Sequence, residues 1–122
     1  MSDEITVSMD LDLTNGDLER SVEVSSLQFD QAATGCIWQV VNAAAADEAI
    51  VTTELTSLGW CFMRNLDSTN YVEWGPDSGG SLVVCGRLEA GEIALFRLSP
   101  AITLRTQANT AAVELDILIL ED

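Results

Sequence analysis

The chain has 122 residues, 48% of them hydrophobic, and sets 20 Asp and Glu against five basic residues for a formal charge of −15. That length is one domain's worth, and the apolar content is far above that of a disordered chain. The charge excludes partners recognised through their phosphates, nucleic acid and anionic membrane alike, because such binding depends on clustered cations. Every basic residue is an arginine (Arg20, Arg64, Arg87, Arg97, Arg105), with neither Lys nor His. The missing lysines admit two readings, compositional drift in a GC-rich genome or adaptation to high salt, where counterions screen acidic self-repulsion. The start, Met-Ser-Asp-Glu, lacks the basic region and apolar run of a secretory leader, so synthesis and folding in a cytosol are expected. Ile117–Leu120, like the other apolar runs of the second half, is much too short to span a bilayer.

Taken in order, Glu4–Leu13 alternates with period two: Ile5, Val7, Met9, Leu11 and Leu13 on one face, Thr6, Ser8, Asp10 and Asp12 on the other. Such alternation marks a half-buried strand. Asn15-Gly16 predicts a tight hairpin turn, after which Leu18, Val22 and Val24 continue the pattern. Residues 1–25 therefore read as a β-hairpin, or as an arm of two strands exchanged with a neighbouring subunit. Cys36–Val41 reads as a strand, Ala43–Ala49 as a helix-prone piece too short to be stable alone and so a connection or single turn, and the β-branched Ile50–Leu55 as a further strand. From Leu58 to Leu98, short apolar segments are cut at regular intervals by Asp67-Ser-Thr-Asn70, Pro76-Asp-Ser-Gly-Gly80 and Glu89-Ala-Gly-Glu92. Turn chemistry at that spacing is the mark of an antiparallel all-β domain. Trp60–Leu66 is apolar on both faces apart from Arg64, for which a cross-strand ion pair with Glu73 is expected. After Ser99-Pro100 come a strand over Ile102–Gln107 and another over Val113–Leu120. The last turns apolar on both faces at Leu118 and Leu120, which predicts a central strand or one covered in an oligomer. The fold class expected is all-β: an antiparallel β-sandwich, jelly-roll-like, of eight to nine strands, residues 1–122 forming one domain.

Candidate chemistry is sparse. Cys36, Cys61 and Cys85 each lie within an apolar segment, so reduced core or interface thiols are expected. Without a CxxC pair or a histidine, a tetrahedral metal shell has no obvious ligands. Asp10, Asp12, Asp17 and Glu19 surround the first turn, but their spacing does not match an EF-hand loop, and strand alternation accounts for a solvated face. With no His and no GxSxG elbow, no enzymatic activity, cofactor or metal is expected. The tryptophans and Tyr71 admit a carbohydrate-binding reading, since aromatic faces on sandwich loops stack on glycans, although Tyr71 and Trp74 point to different faces.

The run GWCFMRNLDSTNYVEWG (Gly59–Gly75), RLEAGE (Arg87–Glu92), ALFRL (Ala94–Leu98) and the closing ILED resembles small virion structural proteins of tailed bacteriophages, over roughly residues 58–122. The resemblance implies a capsid decoration (cement) protein on the outer surface of the virion. Its implied partners are copies of itself, as a homotrimer, and the major capsid protein. A tail, head-fibre or neck component is the alternative within the same class. The candidate interface residues are Arg64, Tyr71, Trp74, Leu118 and Leu120.

Overall fold

The structure, a computed structural model, describes residues 3–122; Met1 and Ser2 of the expected arm lie outside the described residues. The chain, read from its length as one domain, divides into two compact units, Met1–Ala32 and Ala33–Asp122. Each is described by itself.

The first unit is an antiparallel hairpin of β1 (Ile5–Asn15) and β2 (Leu18–Phe29). The turn falls one residue later than Asn15-Gly16 suggests. Asn15 pairs with Leu18, so Gly16 and Asp17 form the two-residue loop, and only Gly16 takes a positive φ (59°). Glycine at the first loop position is what a type II′ turn requires, and its twist matches that of the strands. The hairpin also runs past residue 25, because a bulge re-registers it. Val7 pairs with Leu27 and Met9 with Val24, leaving Ser8 opposite both Ser25 and Ser26. Ser26 sits at φ 53°, and its N–H donates to Ser8 Oγ at 2.9 Å.

The second unit is built from β3 (Cys36–Ala43), β4 (Glu48–Ala49), β5 (Leu58–Asn65), β6 (Val72–Ser78), β7 (Ser81–Leu82), β8 (Gly86–Leu88), β9 (Ile93–Arg97), β10 (Leu104–Ala108) and β11 (Val113–Glu121). Every pairing is antiparallel. One sheet has the order β3-β11-β5-β9; the other runs β4-β10-β6-β7, with β8 also on β6. The pairs are nested in sequence: β3 with β11, β4 with β10, β5 with β9, β6 with β8. A long two-stranded ribbon folded over on itself gives this order, with β11–β5 and β10–β6 closing each sheet.

The all-β antiparallel architecture stands, with eleven strands among the described residues where eight to nine were expected. The additions are two-residue pieces, β4 and β7, formed where a loop touches a sheet for one or two rungs. Ala43–Ala49 forms no helix, as expected of an alanine run too short to nucleate one: β3 takes Ala43, β4 takes Glu48-Ala49, and the residues between connect them. Ile50–Leu55 is not a strand either. After the Ile50 N–H donates to Leu104 O, the chain turns, with Leu55 N–H bonded to Thr52 O. β-Branched composition therefore marks a buried anchor, Ile50, rather than a ladder. The apolar tail does become a central strand, β11 between β3 and β5.

The core lies between the two sheets. Val113, Leu115, Ile117 and Ile119 of β11 and Cys61 and Met63 of β5 face Val72, Leu88, Leu104 and Ala108 of the other sheet in one buried cluster. Fully burying a Leu- or Ile-sized side chain contributes about 2 kcal/mol, so β11 alone supplies a large share of this unit's stabilisation. Trp74 of β6 stacks on Phe96 of β9 across the two sheets, ring centroids 4.6 Å apart and ring planes nearly parallel. Gly86 makes room for that indole: a Cβ there would lie 2.5 Å from Trp74 Cζ2.

Asp67-Ser-Thr-Asn70 is a crossover between sheets rather than a hairpin tip, since β5 and β6 belong to different sheets. Asn65, fully buried at the end of β5, holds it. Its Nδ2 donates to Asn70 O (2.9 Å) and Leu88 O (3.0 Å), and its Oδ1 accepts from the Asp67 N–H (2.8 Å). The N–H groups of Asn70 and Thr69 then bond the Asp67 carboxylate and hold its pKa below the ordinary range.

Candidate functional site

In an antiparallel sandwich, residues alternate between the core and the solvated outer face, which is usually polar. The sheet built on β6 and β10 obeys this. Its outward positions are Glu73 and Asp77 on β6, Arg87 on β8, and Arg105 and Gln107 on β10. They form ion pairs: Arg87–Glu73 at 3.3 Å, and Arg105 to Asp47 at 2.7 Å and to Asp77 at 3.0 Å. Asp47 also accepts the Leu82 N–H at 2.6 Å, so the Arg105 guanidinium fastens the loop before β4 to β10, β6 and β7 together.

The Arg105 hydrogen bond, and then the Leu82 N–H, hold the Asp47 carboxyl below the usual carboxylate range. A carboxyl whose pKa is lower folded than unfolded stabilises the fold above its unfolded value, near 4, and loses that contribution as pH falls through the folded value. Arg105→Met is therefore expected to lower the thermal unfolding midpoint at pH 7. The gap from the unsubstituted chain should narrow at about pH 3. An equal gap at both pH values would show that Arg105 acts by packing alone.

The sheet β3-β11-β5-β9 departs from the rule. Register aligns its outward residues in rows: Trp38, Leu118, Phe62 and Leu95 across the middle; Val40, Asp116, Arg64 and Ile93 beside it; Cys36 with Leu120 and Trp60 with Arg97 on the other side. Trp38 is 72% exposed, Ile93 61% and Val40 59%, while Leu118, Leu120, Phe62 and Trp60 are half-buried by these neighbours. The indole N–H of Trp38 donates to Asp116 Oδ1 at 3.1 Å, tying the aromatic ring to the central strand. The charges on this face are the Asp116–Arg64 neighbours of the second row and, at one end, Arg97, which meets Asp122 at 2.5 Å. A contiguous apolar surface over four strands is the hallmark of a docking face rather than of a solvated one.

Of the five residues expected at an interface, this face gathers three: Arg64, Leu118 and Leu120. The other two lie elsewhere. Tyr71 is half-buried beneath the Arg87 guanidinium, 3.8 Å from the ring centroid, and Trp74 is engaged in the core stack. Arg64 does not meet Glu73; its register neighbours are Asp116 and Ile93, and Arg87 takes Glu73 instead, because β5 and β6 part company at the crossover. Trp38, Val40, Ile93 and Leu95 were missed, although β3 and β9 each carry apolar side chains at alternate positions on both faces.

The cysteines divide as well. Cys61 lies in the core, where burial pushes its thiol up to about 12. Cys36 and Cys85 are exposed rather than buried, Cys36 on the apolar face. Asp10 and Asp12 lie on the polar side of the hairpin, with Ser21 Oγ donating to Asp12 at 2.7 Å. Among the described residues, no group of three or more His, Cys, Asp or Glu is placed to hold a metal ion. Comparison with protein-family models, with curated proteins and with solved structures returns no match.

Proposed function

We propose that this chain is a non-enzymatic structural protein of a virus particle, a capsid decoration protein that docks to the outer shell through the apolar face of the β3-β11-β5-β9 sheet. The observation that carries the reading is the asymmetry between the two sheets: one outer face is laced with ion pairs, the other is apolar from Trp38 to Leu95. Such a face is costly in water and favourable against a partner that covers it. The nested strand order supports a jelly roll, a double-sheet architecture common in capsid proteins. Net charge of −15 supports a position outside the shell, away from packaged nucleic acid. The resemblance of residues 58–122 to small phage virion proteins supports the same assignment, with self-association and the major capsid protein as partners.

The test is addition of the purified chain to undecorated shells of the virus. Trp38→Ser with Leu95→Ser removes the exposed apolar side chain at each end of the middle row, on the edge strands β3 and β9, leaving the core intact. Truncating such anchors is expected to weaken shell binding tenfold or more, with an unchanged circular dichroism spectrum. Undiminished binding by the double variant would exclude this face, and no binding by the unsubstituted chain would exclude the decoration role.

A further inference from the structure

The hairpin carries a second apolar surface, and the bulge is what makes it continuous. On β2, Leu18, Val22 and Val24 share one face, whereas Leu27 and Phe29 have the opposite parity and would otherwise point the other way. The extra residue at Ser25-Ser26 returns them to the same side. Ile5, Val7, Met9, Leu11 and Leu13 of β1 then pair with Phe29, Leu27, Val24, Val22 and Arg20, and Leu18 closes the row opposite Asn15. One face of a ribbon about 35 Å long is thus apolar but for Arg20 and Asn15 beside the turn. The other face holds Asp10, Asp12, Glu19 and Glu23 among serines and threonines, with Asp10 directly opposite Glu23.

We propose that this face is an interface between copies of the chain, hairpin against hairpin, with the acidic faces turned outward. The inference rests on the reading of the protein as an assembly subunit but concerns a different surface. A two-stranded hairpin is marginal in water without something to cover its apolar side. Met9, Leu11, Leu13, Leu18, Val22 and Leu27 are each 42–61% exposed. Together they leave on the order of 500 Å² of side chain open per copy, so a pair of hairpins covers roughly 1,000 Å², the lower bound of a specific interface. Charge selects a like partner. Face-to-face packing keeps the carboxylates on the two outer sides, each in water, and matches the ribbon with one of the same length and width. Packing the acidic face against another copy would instead bring carboxylates together unpaired.

Leu11 and Val22 are direct partners at the middle of the face. In light scattering after gel filtration, the full-length chain at roughly 100 µM is expected to show a multiple of its 13.1 kDa mass. Leu11→Asp with Val22→Asp is expected to fall to the single-chain mass while keeping the main thermal transition. Asp10→Asn with Glu23→Gln, on the opposite face, is expected to keep the assembled mass. In a Cys36→Ser, Cys85→Ser background, Leu11→Cys is expected to give a covalent dimer under mild oxidant, and Asp12→Cys is not. An unsubstituted chain of 13.1 kDa, an assembled mass unchanged by the Leu11/Val22 pair, or equal cross-linking at residues 11 and 12 would each overturn the proposal. An assembled chain that ignores shells would sink the decoration role alone; a monomeric chain that still binds them would sink the hairpin interface alone.

Discussion

Asn65→Ala is expected to cost about 3–4 kcal/mol of folding stability, as much as a large cavity in the core. The Asn65 side chain satisfies three backbone groups at once: the carbonyls of Asn70 and Leu88 and the N–H of Asp67. Alanine leaves all three without that partner, and each buried unsatisfied group costs about 1–3 kcal/mol, partly offset by relaxation. The loss also spreads. The backbone of Asn65 bonds Glu92 O and the Gly91 N–H, so the end of β5 holds the crossover to β6 and the turn before β9 in one place. Asn65→Asp should be no rescue, since it keeps the acceptor, loses both donors and sets a carboxylate against two carbonyls. Urea unfolding would show the drop as a shifted midpoint with little change in slope. A loss below about 1 kcal/mol would mean that the crossover is held by Asp67 and its turn alone.

Gly75→Ala is expected to be nearly as damaging, by about 3 kcal/mol, through backbone overlap rather than lost bonding. A Cβ at Gly75 would land inside the carbonyl oxygen of Val83 and 2.9 Å from the amide nitrogen of Cys85. Neither is the end of a flexible side chain. The segment from Val83 to Cys85 would have to move off β6, giving up the Val83 N–H to Pro76 O and Cys85 N–H to Trp74 O bonds, both 2.9 Å. The contrast is Gly79→Ala in the neighbouring turn, where a Cβ meets nothing within 4 Å and only the positive φ of 62° is strained. That substitution is expected to cost about 1 kcal/mol. Thermal unfolding of the two variants side by side checks the ranking; equal losses would show that the overlap at Gly75 is relieved by local movement.

Much of the fold could be read from period-two patterning, because it reports which face of a strand meets the core. The alternation of Val113, Leu115, Ile117 and Ile119 is the buried face of β11, and the extra apolar pair at Leu118 and Leu120 marks its central place. Pairing across a distance was harder to read. Asp67–Asn70 has the composition of a hairpin tip, yet it carries the chain from one sheet to the other, since β6 pairs with β10 and β8 rather than with β5. That choice rests on long-range nesting and on the buried Asn65, which in sequence resembles any turn asparagine. The expected Arg64–Glu73 pair failed for the same reason.

The candidate surface was partly legible. Trp60–Leu66 and the tail announced strands apolar on both faces, and the structure sets them side by side in one sheet. The edge strands completing the surface were less visible, because Trp38 and Val40 look like core residues until the register with β11 turns them outward. The bulge at Ser25-Ser26 was hidden as well. Two serines carry no obvious signal, and only the parity change between Val24 and Leu27 betrays it.

The most direct measurement is the mass of the purified full-length chain in solution, followed by light scattering across a dilution series. The account predicts an assembly that is a whole-number multiple of 13.1 kDa and dissociates on dilution or on substitution of Leu11 and Val22. A 13.1 kDa particle at every concentration, with both apolar faces open to water, would contradict it.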